Sequence, residues 1–154
     1  ETDYILLGVY SDDLIPVMAK VLCGLGIRHA MVVHGEDGFD EISISAPTKV
    51  AEIKDGGIFE YTITPEQFGL PLAEKEEVVG GSPEENALIT QGILAGTIRD
   101  AKRNIVLLNA GCALYVVGQA GSIGDGVALA AEMIDSGAAL AKLEELKQFT
   151  NALA

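Results

Sequence analysis

At 154 residues the chain suits a single domain that buries roughly 70 % of its unfolded surface. Hydrophobic residues make up 49 %, aromatic residues only 5 % and Trp is absent, so the core must be built from Ala, Val, Leu and Ile. A net charge of −13 argues against a nucleic-acid partner, because no basic stripe is present to neutralise phosphates, and against an anionic membrane surface.

The first apolar run, Tyr4–Val9, reads as a buried strand. Ser11 offers an N-cap, and Asp12 and Asp13 supply an acidic first turn. Leu14, Ile15, Met18, Val21, Leu22 and Leu25 then recur at helical spacing, with Pro16 near the first turn and Gly24 and Gly26 closing the helix. Ala30–Val33 follows as the next strand, which completes a strand–helix–strand unit with parallel strands. That strand breaks into a loop holding Gly35 and Gly38 together with Glu36, Asp37, Asp40 and Glu41. In open α/β sheets, the carboxyl end of a buried strand is where ligands bind.

Beyond the loop the pattern changes. Glu41–Ser45, Lys49–Ile53 and Ile58–Ile63 are short β-type runs, and Asp55-Gly56-Gly57 is a hairpin signal between the last two. Thr64–Leu72, with Pro65, Gly69 and Pro71, reads as irregular. Ser82, Pro83 and Glu85 form a helix start, with an N-cap, a proline at the first helical position and a capping box. Arg99–Val117 reads as a core helix, and Ser122–Ser136 and Ala138–Leu146 as two more, with Gly137 between them. The expected fold class is α/β: a mostly parallel central sheet flanked by helices, a short antiparallel β excursion in the middle and a helical C-terminal half.

Cys23 and Cys112 stand far apart, each in an apolar helical pattern, and read as reduced small hydrophobes. No apolar run reaches the roughly 18 residues that span a bilayer, and no basic-then-apolar signal opens the chain. A cytoplasmic location is expected.

Several residues carry two readings. Adjacent Asp40 and Glu41 suit Mg²⁺, which takes one or two carboxylates plus phosphate oxygens, but Gly- and Asp-rich loops are also ordinary solvated turns. Asp37 reads as a turn former, and Glu36 as solvent-facing. His34 could act as a general base or could bond locally and shape the loop; no partner for base chemistry is identifiable, which favours the second. His29, before the strand, reads as a surface residue. Asn109, inside an apolar helix, could contact a substrate amide or could bond a neighbouring backbone, and the latter is preferred. Gly80-Gly81 could cradle a phosphate but lacks a phosphate-loop context, so it reads as a helix start. Gly121, Gly124 and Gly126 are explained by helix packing.

The segments VVHGEDGFDEIS, LLGVYSDDL, GLGIRHAMVVHG, EYTITPEQFGL, GGSPEENA, VLLNAGCALYV and IDSGAALAKLEEL run along essentially the whole chain. In their order and spacing they resemble the large α/β domain of the anthranilate phosphoribosyltransferases. That family joins anthranilate to the ribose of phosphoribosyl pyrophosphate and releases pyrophosphate, in tryptophan biosynthesis. The resemblance implies that Asp40 and Glu41 hold the Mg²⁺ that carries phosphoribosyl pyrophosphate. It assigns no catalytic residue to this segment. It further implies that residues 1–154 are one α/β domain, a fragment lacking an N-terminal helical domain. The family's GTGGD, Asn-x-Ser-Thr and KHG motifs do not occur here, so the segment alone should be inactive. Full-length, the protein should be a homodimer binding phosphoribosyl pyrophosphate and anthranilate. Without the helical domain, apolar side chains around Tyr4–Tyr10 and Val33–Glu41 should stand exposed. A related pyrimidine nucleoside phosphorylase domain and a freestanding non-catalytic α/β binding module are the alternatives. The Asp-Glu pair suits the Mg²⁺-dependent transferase better than the phosphorylase.

Overall fold

The computed structural model describes residues 2–152; Glu1, Leu153 and Ala154, part of the expected domain, lie outside the described residues. Strand β1 (Tyr4–Gly8), helix α1 (Leu14–Gly24) and strand β2 (His29–Gly35) form the expected unit, with β1 and β2 parallel. Strands β3 (Thr48–Lys54) and β4 (Gly57–Ile63) extend the same sheet in the order β1-β2-β3-β4, both pairings antiparallel. Helices α2 (Pro83–Leu94), α3 (Ala101–Val116), α4 (Ile123–Asp135) and α5 (Ala138–Asn151) make up the C-terminal half. Among the described residues, no helix is long and apolar enough to cross a membrane.

The sheet is therefore mixed, not mostly parallel. The β3–β4 hairpin does not stand apart as an excursion, because β3 carries Val50, Ala51 and Ile53 into the core and so must lie at the centre. It pairs with β2 along the full length of both strands. The hairpin turns at Asp55 (φ 51°) and Gly56 (φ 77°), the two left-handed central residues that a tight turn matching strand twist requires.

Period-two alternation distributes the core between two faces. Ala30 and Val32 of β2, with Ala51 and Ile53 of β3, meet Ile15, Ala19 and Leu22 of α1. Met31, Val33 and Val50 point the other way, toward Leu107, Leu108 and Cys112 of α3 and Val127, Ala130 and Ile134 of α4. Helices α3 and α4 cross closely: a Cβ on Gly111 would lie 2.6 Å from the Val127 nitrogen, and one on Gly126 would overlap the Gly111 carbonyl oxygen. Helix packing thus explains Gly126, whereas Gly121 and Gly124 meet no such contact.

Other differences have local causes. Strand β1 is half-buried along its length, not buried, because it lies at the sheet edge. Helix α1 begins after Asp13 and has no side-chain cap; the Ser11 carbonyl accepts from Leu14 N–H at 3.1 Å instead. Glu41–Ser45 is not a strand. The irregular stretch contains a single helical turn at Pro65–Phe68, and another follows at Lys75–Val78. The capping box at α2 forms as expected, with Glu85 N–H donating to the Ser82 hydroxyl at 3.3 Å and Ser82 N–H to the Glu85 carboxylate at 2.7 Å. Helix α3 is capped by Asp100, whose carboxylate accepts from Lys102 N–H at 2.9 Å.

Candidate functional site

The loop between β2 and β3 lies at the carboxyl ends of the two parallel strands. Its entry is tight: Gly38 N–H donates to the Gly35 carbonyl at 2.8 Å, Gly35 N–H to the Phe39 carbonyl at 2.9 Å, and Gly38 adopts φ 90°. Asp37 turns inward. One oxygen of its carboxylate accepts from the Ser43 hydroxyl at 2.7 Å and from the Ser45 hydroxyl. Burial alone would raise the Asp37 pKa, but the Ser45 and Ser43 hydroxyls, with backbone N–H groups, outweigh it and hold the carboxyl below its ordinary value. Asp37 is thus the internal knot of the loop, more than a turn former.

The knot projects Asp40 and Glu41 outward, and both are exposed. Their backbone passes so close to β1 that a Cβ on Gly8 would overlap the Asp40 carbonyl oxygen and lie 2.6 Å from its carbon. Only a glycine lets the loop lie there. The chain then dives inward at Ile42, which is fully buried. Having no strand partner, Ile42 is held by a side chain 67 residues away: its N–H donates to Asn109 Oδ1 at 3.1 Å, and its carbonyl accepts from Asn109 Nδ2 at 2.8 Å. Ser43 N–H likewise goes to the Thr48 hydroxyl at 2.9 Å. These side-chain bonds replace the ladder that the run Glu41–Ser45 suggested.

His34, the penultimate residue of β2, donates from Nδ1–H to the Val9 carbonyl at 2.8 Å, which is the local, loop-shaping arrangement. Glu36 is exposed. Gly80-Gly81 opens α2, with Gly81 N–H and carbonyl both bonded to the Asn86 side chain. The expected apolar exposure is confined to Tyr10, which is 78 % exposed; Val9, Val33 and Ile42 are buried because the loop folds back over the strand ends.

The donor set fits Mg²⁺. Two hard carboxylates are adjacent in sequence, exposed and fixed through their backbone. Mg²⁺ is commonly held by one or two carboxylates, with waters and substrate phosphate oxygens completing its shell.

A family model described as glycosyl transferase family, a/b domain, matches residues 1–140. The chain belongs to that family. It is 51 % identical over 146 residues to the anthranilate phosphoribosyltransferase of Haloarcula marismortui, covering 95 % of this chain and 44 % of that protein. It is 49 % identical over 147 residues to that of Methanobrevibacter smithii, covering 96 % and 44 %. The crystal structure of anthranilate phosphoribosyltransferase from Thermus thermophilus superposes with a TM-score of 0.85 at 39 % identity, covering 93 % of this chain and 42 % of that one. The Saccharomyces cerevisiae enzyme in complex with PRPP and Mg superposes with a TM-score of 0.80 at 32 % identity, covering 90 % and 40 %. The chain spans less than half the length of the curated relatives it matches.

A second polar cluster of this glycosyl transferase a/b domain was not foreseen. His29 is buried, 8 % exposed, and not a surface residue: Nε2–H donates to Glu52 Oε1 at 2.8 Å. Tyr115 and Tyr61 hydroxyls donate to the same carboxylate at 2.8 and 2.9 Å, and Lys54 donates to the Tyr115 hydroxyl at 3.1 Å. Burial opposes ionisation of Glu52, yet the bonds from Tyr115, His29 and Tyr61 win and hold its carboxyl below its ordinary value. Burial and the neighbouring Glu52 carboxylate raise the Tyr61 hydroxyl well above its ordinary range, and burial pushes the Cys112 thiol up to about 12. Cys23 and Cys112 are both free. The cluster joins the amino end of β2 to α3. Two odd-numbered residues of one strand, His29 and Met31, sharing a face was the legible hint; the identity of the partner was not.

Proposed function

We propose that the chain is the α/β portion of an anthranilate phosphoribosyltransferase, moving the phosphoribosyl group from phosphoribosyl pyrophosphate to anthranilate and releasing pyrophosphate, in tryptophan biosynthesis. What supports this is the adjacent, exposed Asp40–Glu41 pair, fixed over Gly8 at the carboxyl ends of β1 and β2, in a chain about half identical to enzymes of that name. The reading places residues 1–154 as one domain, completed by an N-terminal helical domain in a cytoplasmic homodimer.

In this reading Asp40 and Glu41 would hold Mg²⁺, which when bound offsets charge building on the departing pyrophosphate. The chain's own work is positioning. The Asp37–Ser43–Ser45 knot and the Gly8 contact keep both carboxylates at the strand ends. His34 keeps its Nδ1 proton on the Val9 carbonyl and shapes the loop, so no proton transfer is assigned to it. A half-site of this kind supplies no positioning for anthranilate.

The test compares the full-length protein with residues 1–154 alone, following loss of anthranilate fluorescence with phosphoribosyl pyrophosphate and Mg²⁺. The full-length protein should turn over and the segment should not. Turnover of the segment near that of the full-length protein would refute the two-domain reading, and an inactive full-length protein would refute the substrate assignment.

A further inference from the structure

We propose that Asn109 is a positioning residue for the metal carboxylates, a role that rests on the assignment of Asp40 and Glu41 to Mg²⁺. Asn109 sits within α3, among apolar neighbours, where a polar side chain needs partners. It has three. Oδ1 accepts from Ile42 N–H at 3.1 Å, while Nδ2 donates to the Ile42 carbonyl at 2.8 Å and to the Ile105 carbonyl at 3.0 Å. This pattern fixes the amide's orientation, since the flipped carboxamide would set its oxygen against two carbonyls.

The geometry concerns the neighbour of Ile42. Ile42 N–H belongs to the peptide that Glu41 begins, so Asn109 grips the backbone one bond beyond the second carboxylate. One residue earlier, the Asp40 carbonyl rests against Gly8. The two metal-site residues therefore hang between a contact with β1 on one side and a bond to α3 on the other. Asp40 and Glu41 themselves are exposed and pack little, so their backbone anchors decide where the carboxylates point. A group that orients metal ligands without touching the metal is typically worth about 10–100-fold in metal affinity.

Asparagine suits this task for a definite reason. Ile42 has no strand neighbour, and its buried N–H and carbonyl both require partners. A carboxamide offers one acceptor and two donors, which is enough to serve both Ile42 groups and to brace itself on its own helix through Ile105. A carboxylate at the same place keeps the acceptor and loses both donors.

The experiment uses full-length protein and Mn²⁺ as a paramagnetic substitute for Mg²⁺, with inorganic pyrophosphate present. Free Mn²⁺ is counted by its electron paramagnetic resonance signal, so the readout is binding and not turnover. Asn109→Ala and Asn109→Asp should weaken Mn²⁺ binding about tenfold or more. Gly8→Ala, which displaces the same peptide from the opposite side and leaves Asn109 in place, should shift it in the same direction. Leu108→Ala is the stability control: its side chain is fully buried one residue away, and it should lower the melting temperature at least as far without moving Mn²⁺ affinity. In steady state, Asn109→Ala should raise the Mg²⁺ needed for half-maximal rate about tenfold while kcat at saturating Mg²⁺ changes much less.

Native Mn²⁺ affinity in folded Asn109 variants, with Asp40→Asn and Glu41→Gln impaired, would overturn the role of Asn109 and leave the metal site standing. Native affinity in Gly8→Ala would overturn the role of the backbone anchors if the Asn109 variants fail to fold. Equal weakening by Leu108→Ala would reduce Asn109 to a core residue and overturn the proposal. Native affinity in Asp40→Asn and Glu41→Gln would instead overturn the metal assignment, and with it the role built on it.

Discussion

A polar site containing carboxylate lies near each end of strand β2, one buried carboxylate at the amino end and an exposed pair at the carboxyl end, and the two are built on opposite terms. Near the amino end, Glu52 of the neighbouring strand is buried and accepts from His29, Tyr61 and Tyr115. At the carboxyl end, Asp40 and Glu41 are exposed, and their side chains make no bond to the protein among the described residues. A buried carboxylate must be satisfied internally or it destabilises the fold. An exposed pair whose backbone is fixed and whose oxygens stay free has its binding capacity available to a ligand. Asp37 lies between the two designs, inward-facing like Glu52 and part of the loop like Asp40. The degree of internal satisfaction separates carboxylates that hold the fold from those placed to act on something else.

The contrast can be broken most forcefully at Glu52. Glu52→Leu should cost about 3–5 kcal/mol of stability, because it strands His29 and two tyrosine hydroxyls in the interior. Urea unfolding monitored by circular dichroism measures it; a loss below roughly 1 kcal/mol would show the cluster to be dispensable. The opposite pattern is expected at the loop. In the full-length protein, Asp40→Asn and Glu41→Gln should each lower kcat/KM for phosphoribosyl pyrophosphate by about 2–4 kcal/mol of transition-state stabilisation. Their stability should stay within about 0.5 kcal/mol of the parent. Native kinetics at limiting Mg²⁺ would make them ordinary loop residues.

Ser43→Ala tests the intermediate case. It removes one donor to Asp37 and an acceptor for Ser45 and Ala46 N–H, and should cost about 1–2 kcal/mol. In steady state it should also raise the Mg²⁺ needed for half-maximal rate of the full-length protein, since the knot sets the loop's course.

The smallest expected effect is in acid. Glu52 and Asp37 are both held below their ordinary values. Each therefore contributes stability that is fully present above its unfolded-state pKa and is lost as pH falls through the lower folded-state pKa. Below pH 4.5, the ordinary Glu value, melting temperature should fall more steeply for the parent than for Glu52→Gln. Parallel curves would mean that Glu52 gains nothing from ionisation in the folded state.

Much of the local architecture was legible before any coordinates. The Ser82–Glu85 capping box, the Asp55-Gly56 turn and the acidic loop all rest on residues within a few positions of one another. Short-range hydrogen bonds and backbone preferences act there whatever the rest of the chain does. The sheet's mixed order was not legible, because the run Lys49–Ile53 reads as a strand without showing which strand it joins. His29 was misread for the same reason: a histidine looks like a surface residue until Glu52, 23 positions away, is brought against it.

The glycine opposite Asp40 and the asparagine that holds Ile42 belong to the same class. By itself the sequence determined the type and approximate place of the four long C-terminal helices and the hairpin, and marked Asp40 and Glu41 as candidates in an acidic loop, since each is written in local spacing and turn chemistry. Only the tertiary structure decided that Gly8 clears a path for the Asp40 backbone and that Asn109 completes a segment with no strand partner. Both depend on atoms far apart in the chain meeting across a packed core, where a single Cβ or an unpaired amide changes the outcome.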